Sequence, residues 1–391
     1  MSELSFCRGN SSPDASPTTD STGLIRCCIS DPPPLPRDIS QRIVSDLLVH
    51  AKWVFWRVLN VYITIDTECS MGGAWDDPSV VPVTPERGVL GQIGDHFYGT
   101  PLIMDVLEES GFKGTFFVEV FSAYNVGEAE LASAYRQIED RGHNTQLHLH
   151  PTHYYYWQVK QGVIPREQVA PRSDILATHP RGQQRIFLQE GIRLFEKLIG
   201  KKPIGFRAGN YGASTTTLGV LAEVGIRCDS SYNAAYVGDT CLIQESRLRN
   251  GPWRHNGIWE VPVTNFRTGL WKWRGLKPME ISSVSSWEIR HVLEQADRLG
   301  LGTVTLILHS FSLLKRRDPQ YRNIRPDRVV IGRLRNLCRF LASRRERFRV
   351  LTFDDALDLP ESKQEPQLPD MGVVIPAIRK LVQGINRAYW I

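Results

Sequence analysis

From Val61 onwards, short apolar runs alternate with amphipathic stretches of helical length. Most of the apolar runs are β-branched or aromatic and are bounded by glycine or polar residues, which is typical of buried strands. Strands separated by helices favour an α/β fold with parallel strands, because parallel neighbours need a crossover connection. Seven such strands predict a barrel-like (β/α) fold, in which residues at the carboxyl ends of strands do the chemistry. The predicted strands are residues 61–66, 115–120, 145–150, 204–208, 226–229, 304–309 and 349–353.

The stretches between these runs carry apolar residues at helical spacing. Leu131, Tyr135 and Ile138 fall on one face of a predicted helix. Two later stretches repeat the spacing, and a glycine that can cap the helix follows each of the three. The later stretches contain Leu188, Ile192, Phe195 and Ile199, then Ile289, Val292, Leu293 and Ala296, and the glycines are Gly142, Gly200 and Gly300.

Composition divides the 391 residues into three parts. Residues 1–40 are rich in Ser, Thr, Pro and Asp, so we predict a disordered leader. Residues 41–359 form the predicted α/β barrel domain, with long insertions at residues 70–99 and 233–286. Residues 360–391 are a C-terminal tail, whose apolar and basic part from Val373 to Ile391 predicts an amphipathic helix that packs on the body or on a membrane surface.

The first predicted strand ends in two carboxylates. Its sequence is Tyr62-Ile-Thr-Ile-Asp66-Thr-Glu68, and residues two apart on a strand point to the same side. Acidic residues at strand ends are often loop-solvated or capping groups, so this pair alone is a weak signal.

The third predicted strand ends in three histidines within six residues, in the run Gln146-Leu-His148-Leu-His150-Pro-Thr-His153. His148 and His150 share one strand face, and Pro151 turns the chain so that His153 can return toward that face. Two neutral imidazoles and a carboxylate are a ligand set that binds zinc or a similar divalent ion with positions left open. The alternative is a polar strand end with aromatic residues behind it.

Two further strands bring polar groups to the same predicted rim. The fourth ends in Phe206-Arg207 and continues into a glycine-punctuated turn that holds Tyr211, while the sixth ends in Leu308-His309. Either group alone is more often structural, so their joint placement at one rim is what indicates a site.

Taken in order, these segments resemble the polysaccharide deacetylase family, the carbohydrate esterases with NodB homology. The resemblance covers roughly residues 61–358 and depends on Asp66-Thr-Glu68, Gly142-His-Asn-Thr-Gln-Leu-His148, Phe206-Arg207, Asp229-Ser-Ser and Leu308-His309, together with Gly114-Thr-Phe-Phe-Val118. It implies a distorted (β/α) barrel, usually of seven strands. It also implies a hydrolase of carbon–nitrogen bonds that removes an N-acyl group, such as acetyl, from a sugar or polysaccharide precursor through a metal-activated water.

The resemblance also implies roles for individual residues. Asp66 would be the general base, Arg207 would orient it, and His309 would be the general acid. Glu68 and His148 would hold the metal, with His153 and His150 competing for the third place, because Thr152 stands where the family has its second histidine. The expected metal is Zn, with Co, Ni, Mn or Fe as alternatives. A backbone N–H near Tyr211, in the turn after Arg207, would meet the oxyanion. Apart from the resemblance, Trp253, Trp259, Trp271 and Trp273 lie in the insertion at residues 233–286, where they would stack on sugar or serve as a core lid.

A second acidic pair reproduces the family's first motif literally, in Leu351-Thr-Phe-Asp354-Asp355. It follows Leu308-His309 in the chain, which is the wrong motif order, and we interpret it as helix capping. Two other functions stay open: hydrolysis of a cyclic amide or imide, and a catalytically silent carbohydrate-binding barrel.

The net charge and the hydropathy of the sequence limit the kinds of partner that the protein is expected to bind. Forty-seven basic and 42 acidic residues give a net charge of +5, which does not predict nucleic-acid binding. No apolar run is long enough to span a membrane. The N-terminus has no secretory pattern, so we expect a cytoplasmic protein that acts on an N-acylated sugar or glycan precursor, with contact to the inner membrane face through the tail.

Overall fold

The structure is a computed structural model of the chain and describes residues 58–245, 248–269, 275–358 and 368–371, with residues 383, 384 and 386. The predicted leader at residues 1–40 lies outside the described residues, as does most of the predicted helix at residues 373–391. The division of the chain into a leader, a barrel and a tail therefore stays a prediction.

Fifteen strands are present in the described residues, and nine of them form one sheet in the order β12-β1-β4-β5-β6-β7-β9-β8, with β15 also paired to β1. The strands are β1 Leu59–Thr67, β2 Gln92–Ile93, β3 His96–Phe97, β4 Thr115–Glu119, β5 Asn144–Leu149, β6 Gly205–Ala208, β7 Cys228–Asp229, β8 Trp253–His255, β9 Ile258–Glu260, β10 Asn265–Thr268, β11 Gly275–Pro278, β12 Thr303–His309, β13 Leu314–Arg316, β14 Ile324–Pro326 and β15 Phe348–Leu351.

Helices connect the parallel strands, as the alternation of the sequence predicts. All three predicted amphipathic faces are confirmed: Leu131, Tyr135 and Ile138 are buried, and so are Leu188 and Val292. The helices are α1 Pro85–Gly88, α2 Thr100–Glu108, α3 Ala123–Val126, α4 Glu128–Asp140, α5 Pro151–Lys160, α6 Arg181–Ile199, α7 Thr215–Glu223, α8 Ser286–Arg298 and α9 Arg328–Ala342.

The predicted distorted (β/α) barrel is confirmed. Each of the seven predicted strands is present, and every pairing between neighbours in the main sheet is parallel except that of β8 with β9. The structure adds an eighth parallel strand, β9, which lies in the insertion that follows residue 233. Its run of three residues, Ile258-Trp-Glu260, is too short to be recognised by alternation.

Irregular hydrogen bonds close the barrel between β9 and β12. The segment after β9 donates from Val261 N–H to the Asp229 carbonyl (2.8 Å) and from Thr264 N–H to the Thr305 carbonyl of β12 (3.1 Å). Ile307 of β12 donates in turn to the Met279 carbonyl (3.0 Å). The barrel is therefore irregular at this junction between β9 and β12.

Strand β1 is buried along its whole length and lies between β12 on one side and β4 and β15 on the other. One of its edges pairs with β12 from Asn60 to Asp66. The other edge is shared, because β15 pairs with residues 59–62 and β4 pairs with residues 64–67. The C-terminal end of β1, which carries Asp66, is thus held between β12 and β4.

The described residues of the C-terminal tail contact the barrel. Met371 N–H donates to the Arg267 carbonyl (3.0 Å), and Gln383 donates to the Ser283 carbonyl (2.9 Å). Among the helices of the described part of the chain, none has both the length and the apolar character needed to cross a membrane. The cytoplasmic location and the membrane-surface contact stay predictions.

Candidate active site

Asp66 and Arg207 form a buried ion pair at the carboxyl ends of β1 and β6. Arg207 Nη1 donates to Asp66 Oδ1 (2.6 Å) and to Thr64 Oγ1 (3.0 Å). The other side of the guanidinium is held by Ser230, through its carbonyl (3.1 Å) and its hydroxyl (2.9 Å). Because a buried charge is stable only when it is paired and hydrogen-bonded, this network fixes Arg207 and, through it, one oxygen of Asp66.

Glu68, His148 and His150 lie close together beside this pair. One ligand atom from each residue lies within 4.8 Å of the others. Glu68 Oε2 is 2.8 Å from His150 Nε2 and 3.5 Å from His148 Nε2. The histidines come from the end of β5, two residues apart on one strand face, and Glu68 follows β1 directly.

Hydrogen bonds at the far side of each ring fix the orientation of the two histidines. His148 Nδ1 donates to the Arg207 carbonyl (2.8 Å), and His150 Nδ1 donates to Asp174 Oδ2 (2.8 Å). Each ring therefore turns its Nε2 atom toward the Glu68 carboxylate. A carbonyl or carboxylate on the second ring nitrogen is the arrangement that supports metal-ligating histidines, so these residues fit a divalent metal ion.

The charges of the group are strongly coupled. Burial of Glu68 favours its neutral form, but His150 and His148 outweigh burial and hold the pKa of the carboxyl well below its usual range. Burial of His150 favours the neutral ring, but Asp174 and Glu68 on either side raise its pKa well above the usual value. A metal ion needs neutral imidazoles, so its binding would release a proton here and weaken in acid.

His153 does not belong to this group. It lies in the first turn of α5, where its Nε2 donates to the Cys69 carbonyl (2.8 Å), and its own carbonyl accepts from Asn125 (2.9 Å). Of the two histidines left open for the third place, His150 is the one whose Nε2 lies beside Glu68 and His148. The two-residue period of the strand face carries His150 into the group, whereas the helix that begins at Pro151 takes His153 away.

Asp174 is the site residue that sequence reasoning missed. Its carboxylate accepts from His150, from the backbone N–H of Thr152 (3.0 Å) and from Asn210 (2.7 Å). These contacts, His150 above all, hold the pKa of Asp174 below its usual value although burial opposes this. Asp174 lies in the irregular segment between α5 and α6, where no periodicity or motif marks it.

His309 lies next to Asp66 at the end of β12. The two residues are paired in the register of β1 and β12, so their Cα atoms lie at the same level of the barrel. The imidazole is partly exposed and stacks on Phe311, with ring centroids 5.2 Å apart.

The structure places the two residues predicted to bind substrate, Tyr211 and Trp253, in different surroundings. Tyr211 follows β6 with a positive φ of 58° and is close enough to Asp66 that burial and this carboxylate raise its pKa well above the usual value. Trp253 is only 2% exposed and packs edge-on against Tyr232 at 5.0 Å. The sugar-stacking role of Trp253 is therefore wrong, because its ring is in the core. Trp259 is buried as well, and Trp271 and Trp273 lie outside the described residues.

Asp354 and Asp355 lie away from the site. Asp355 Oδ2 accepts from the backbone N–H of Thr352 (3.0 Å), and Asp354 accepts from Gln146 (3.2 Å). Phe353, just before them, packs edge-on against Tyr62 (5.4 Å) and Phe117 (5.0 Å). Asp355 thus bonds within its own turn and Asp354 bonds to β5, and the capping role of the pair stays a prediction.

Comparisons with known proteins give likenesses of structure only. No family model and no curated protein matches the sequence. A protein named as a polysaccharide deacetylase from Mycobacterium smegmatis aligns with 17% identity and a TM-score of 0.48 over 80% of this chain and 95% of its own. A 4-alpha-glucanotransferase from Thermococcus litoralis aligns with 13% identity and a TM-score of 0.44 over 81% and 41% of the two chains. A family 4 carbohydrate esterase from Streptomyces lividans aligns with 11% identity and a TM-score of 0.37 over 73% and 88%. Because these values are low, the functional proposal below is drawn from the site itself.

The fold and the site together define an α/β barrel with a Glu/His/His group and an arginine-bound aspartate at one mouth. All of these groups stand at or just beyond the carboxyl ends of β1, β5 and β6, and His309 stands at that of β12. That is the end of a (β/α) barrel at which chemistry is carried out.

Proposed function

We propose that this protein is a metal-dependent hydrolase that removes an N-acyl group, such as acetyl, from a sugar or glycan precursor. One observation carries the proposal: two histidines, each oriented through Nδ1, direct their Nε2 atoms at Glu68, within the same mouth as the Asp66 and Arg207 pair. The motif order of the sequence supports the same chemistry.

Glu68, His148 and His150 would hold the ion, for which Zn suits one carboxylate and two imidazoles. A bound ion of this kind polarises the acyl carbonyl and promotes ionisation of a water. The ring orientations set by the Arg207 carbonyl and by Asp174 keep both Nε2 atoms available for it.

Asp66 would accept the proton of the attacking water. Its Oδ1 is occupied by Arg207, so Oδ2 is the oxygen that takes the proton. Arg207 keeps the carboxylate in one orientation and is itself fixed by Ser230.

His309 would give a proton to the departing nitrogen. Cleavage of an amide needs this proton, and His309 lies at the level of Asp66 on the neighbouring strand with a partly exposed ring. Tyr211 lies near Asp66 in the turn after β6, where a backbone N–H could meet the developing oxyanion.

The test is a pair of variants, Asp66→Asn and Asp355→Asn, with metal content and acetate release from N-acetylated sugars as readouts. Asp66→Asn keeps the oxygen that accepts from Arg207 but cannot accept a proton, so it should retain one metal ion per chain and lose about 10²–10⁴-fold in rate. Asp355→Asn is the matched control and should keep most of the activity. An active Asp66→Asn variant, or a folded but inactive Asp355→Asn variant, would contradict the assignment.

A further inference from the structure

An acidic pair in the barrel core takes no part in the proposed reaction. Asp229 of β7 and Glu260 of β9 are partners in the register of these two parallel strands, and both residues are completely buried. The carboxyl group of Glu260 is hydrogen-bonded to that of Asp229. Two ionised carboxylates have no hydrogen to share, so one member of the pair must hold a proton.

The other hydrogen bonds of the pair indicate which oxygen carries this proton. Asp229 accepts at both oxygens, from the Ser231 hydroxyl (2.7 Å) and from the Ser231 N–H (3.1 Å). Glu260 Oε1 accepts from the Tyr232 N–H (2.9 Å). In the part of the chain that the structure describes, no N–H or hydroxyl group donates to Glu260 Oε2, which is buried. The proton therefore belongs on Glu260 Oε2, which donates it to Asp229.

The electrostatics of the pair agree with this location of the proton. Burial, followed by the charge of Asp229, raises the pKa of Glu260 well above its ordinary value. Burial raises the pKa of Asp229 as well, but its hydrogen bonds from Glu260 and Ser231 oppose this rise. Asp229 is therefore the ionised member and Glu260 the neutral one.

The groups around the pair do not replace the proton. Arg207 is a cation that acts on Asp229, but its own donors are directed to Asp66, Thr64 and Ser230. Within the described residues, two thiols and one indole ring also lie beside the pair, namely Cys228, Cys241 and Trp253. Burial raises the pKa of both thiols and keeps them neutral. A proton on Glu260 is therefore what lowers the negative charge of this part of the core.

The pair supports the short segment that fixes Arg207. Residues 230 and 231 lie between Asp229 and Tyr232, so Glu260 is bonded to both ends of this segment. Ser230 accepts from Arg207 through its carbonyl and its hydroxyl, and that hydroxyl donates to the Val261 carbonyl (2.8 Å). The Ser231 hydroxyl, which donates to Asp229, accepts in turn from the N–H of Ala208 (2.9 Å), the residue after Arg207.

We propose that Glu260 is a positioning residue: its neutral carboxyl group donates to Asp229 and so holds residues 230 and 231 in the arrangement that fixes Arg207 against Asp66. The inference rests on the proposed function and adds an alkaline limit to it. Loss of the proton would place two negative charges side by side in the core, and their repulsion would separate β7 from β9. Arg207 would then lose the support of this segment, and Asp66 would lose its fixed orientation.

The first test uses three variants of the pair, with acetate release as the readout. Glu260→Gln puts an amide N–H in place of the O–H and keeps the oxygen that accepts from Tyr232, so it should keep most of its turnover at neutral pH. Asp229→Asn must turn a donor toward Ser231, which already donates twice. It should lose about 10- to 100-fold in kcat, and so should Glu260→Ala, with KM nearly unchanged. A loss in Glu260→Gln as large as that in Glu260→Ala would contradict the proposal.

The second test is the pH profile of kcat. The ratio of kcat of Glu260→Gln to that of the wild type should rise as the pH increases above neutral, because the amide has no proton to lose. Deprotonation of His309 affects both proteins alike and cancels in the ratio. Glu167→Gln, the same substitution at an exposed glutamate, is the matched control and should show a constant ratio. A constant ratio for Glu260→Gln as well would overturn the proposal.

Two measurements need no turnover, so failure of the proposed function can be distinguished from failure of this inference. In the infrared spectrum at neutral pH, the wild type and Glu167→Gln should show the carbonyl stretch of a neutral carboxylic acid that Glu260→Gln lacks. If this band is present but no substrate releases acetate, the neutral Glu260 is supported without the hydrolase. No difference between the spectra of the wild type and Glu260→Gln would overturn the proposal.

The second of these measurements is urea unfolding as a function of pH. Between the ordinary pKa of 4.5 and the raised one, the folded chain holds a proton on Glu260 that the unfolded chain does not, so the free energy of unfolding falls as the pH rises. The unfolding equilibrium constant of the wild type should therefore rise relative to that of Glu260→Gln by up to about tenfold per pH unit. Parallel curves for the two proteins would contradict the proposal.

Discussion

His143 is a buried histidine whose two ring nitrogens have different partners. Its Nδ1 accepts from the Gly114 N–H (3.0 Å), and its Nε2 contacts Glu108 at 3.0 Å, where it must donate. Protonation of Nδ1 would break the bond from Gly114 within the core. Burial is the main cause that lowers the pKa of His143 to about 4, and Lys113 and Arg141 act in the same direction against Glu108.

This low pKa predicts a loss of stability in mild acid. Between the ordinary pKa of 6.5 and about 4, the unfolded chain binds a proton that the folded chain does not, so the free energy of unfolding falls as the pH falls through this window. The loss should be on the order of 3 kcal/mol. Urea unfolding of the wild type and of His143→Gln at several pH values measures it, and the variant should show a weaker pH dependence there. Parallel curves for the two proteins would refute this explanation.

His150 and His153 provide a direct test of the metal ligands. His150→Ala should lose the ion because one of its three proposed ligands is removed, whereas His153→Ala should keep it because His153 is bonded to the Cys69 carbonyl. Metal analysis of the purified proteins is the measurement. Metal retained by His150→Ala but lost from His153→Ala would reverse the assignment.

At the scale of elements, α8 shows how local sequence fixes a helix start. Ser285 accepts from Glu288 N–H (3.2 Å), and Glu288 accepts from Ser285 N–H (2.7 Å), which forms a capping box before the buried face that begins at Ile289. Ser285→Ala should lower the free energy of unfolding by about 1 kcal/mol, whereas Ser285→Asp should keep most of it. Equal stability of Ser285→Ala and the wild type in urea unfolding would show that packing alone sets this helix start.

The strands and helices also show which features of the fold and of the site could be predicted from the sequence. The seven strands could be predicted because most of them are short runs rich in β-branched or aromatic residues between stretches of helical spacing. Asp66, His148, Arg207 and His309 follow from the rule that strand ends meet at one rim. The choice between His150 and His153 could not be made, because it depends on how α5 packs on the Cys69 carbonyl. The burial of Trp253 could not be predicted because it depends on the insertion around β8 and β9, whose sequence shows no periodicity. Asp174 could not be identified because it lies in a loop.

At the scale of the whole molecule, the group formed by Glu68, His148 and His150 exists only in the folded barrel. Glu68 follows β1, whereas His148 lies near the end of β5 and His150 directly after it, so the unfolded chain keeps these proposed ligands far apart. A divalent ion should therefore raise the melting temperature, with about 2.7 kcal/mol of added stability when free metal is 100 times its dissociation constant. Thermal unfolding with zinc and with a chelator tests this, and His148→Ala should show no difference between the two. A zinc-dependent increase of the same size in His148→Ala would place the ion elsewhere.

The shared edge of β1 has a consequence for how the chain is made. β1 is the first strand of the barrel, yet it pairs with residues 303–309 on one edge and with residues 348–351 on part of the other. During synthesis, the pairing with residues 348–351 cannot form until nearly all of the barrel has left the ribosome. Such non-local pairings fold slowly and leave apolar strand edges open to other chains in the meantime. The growing chain should therefore depend on chaperones until residue 351 has emerged.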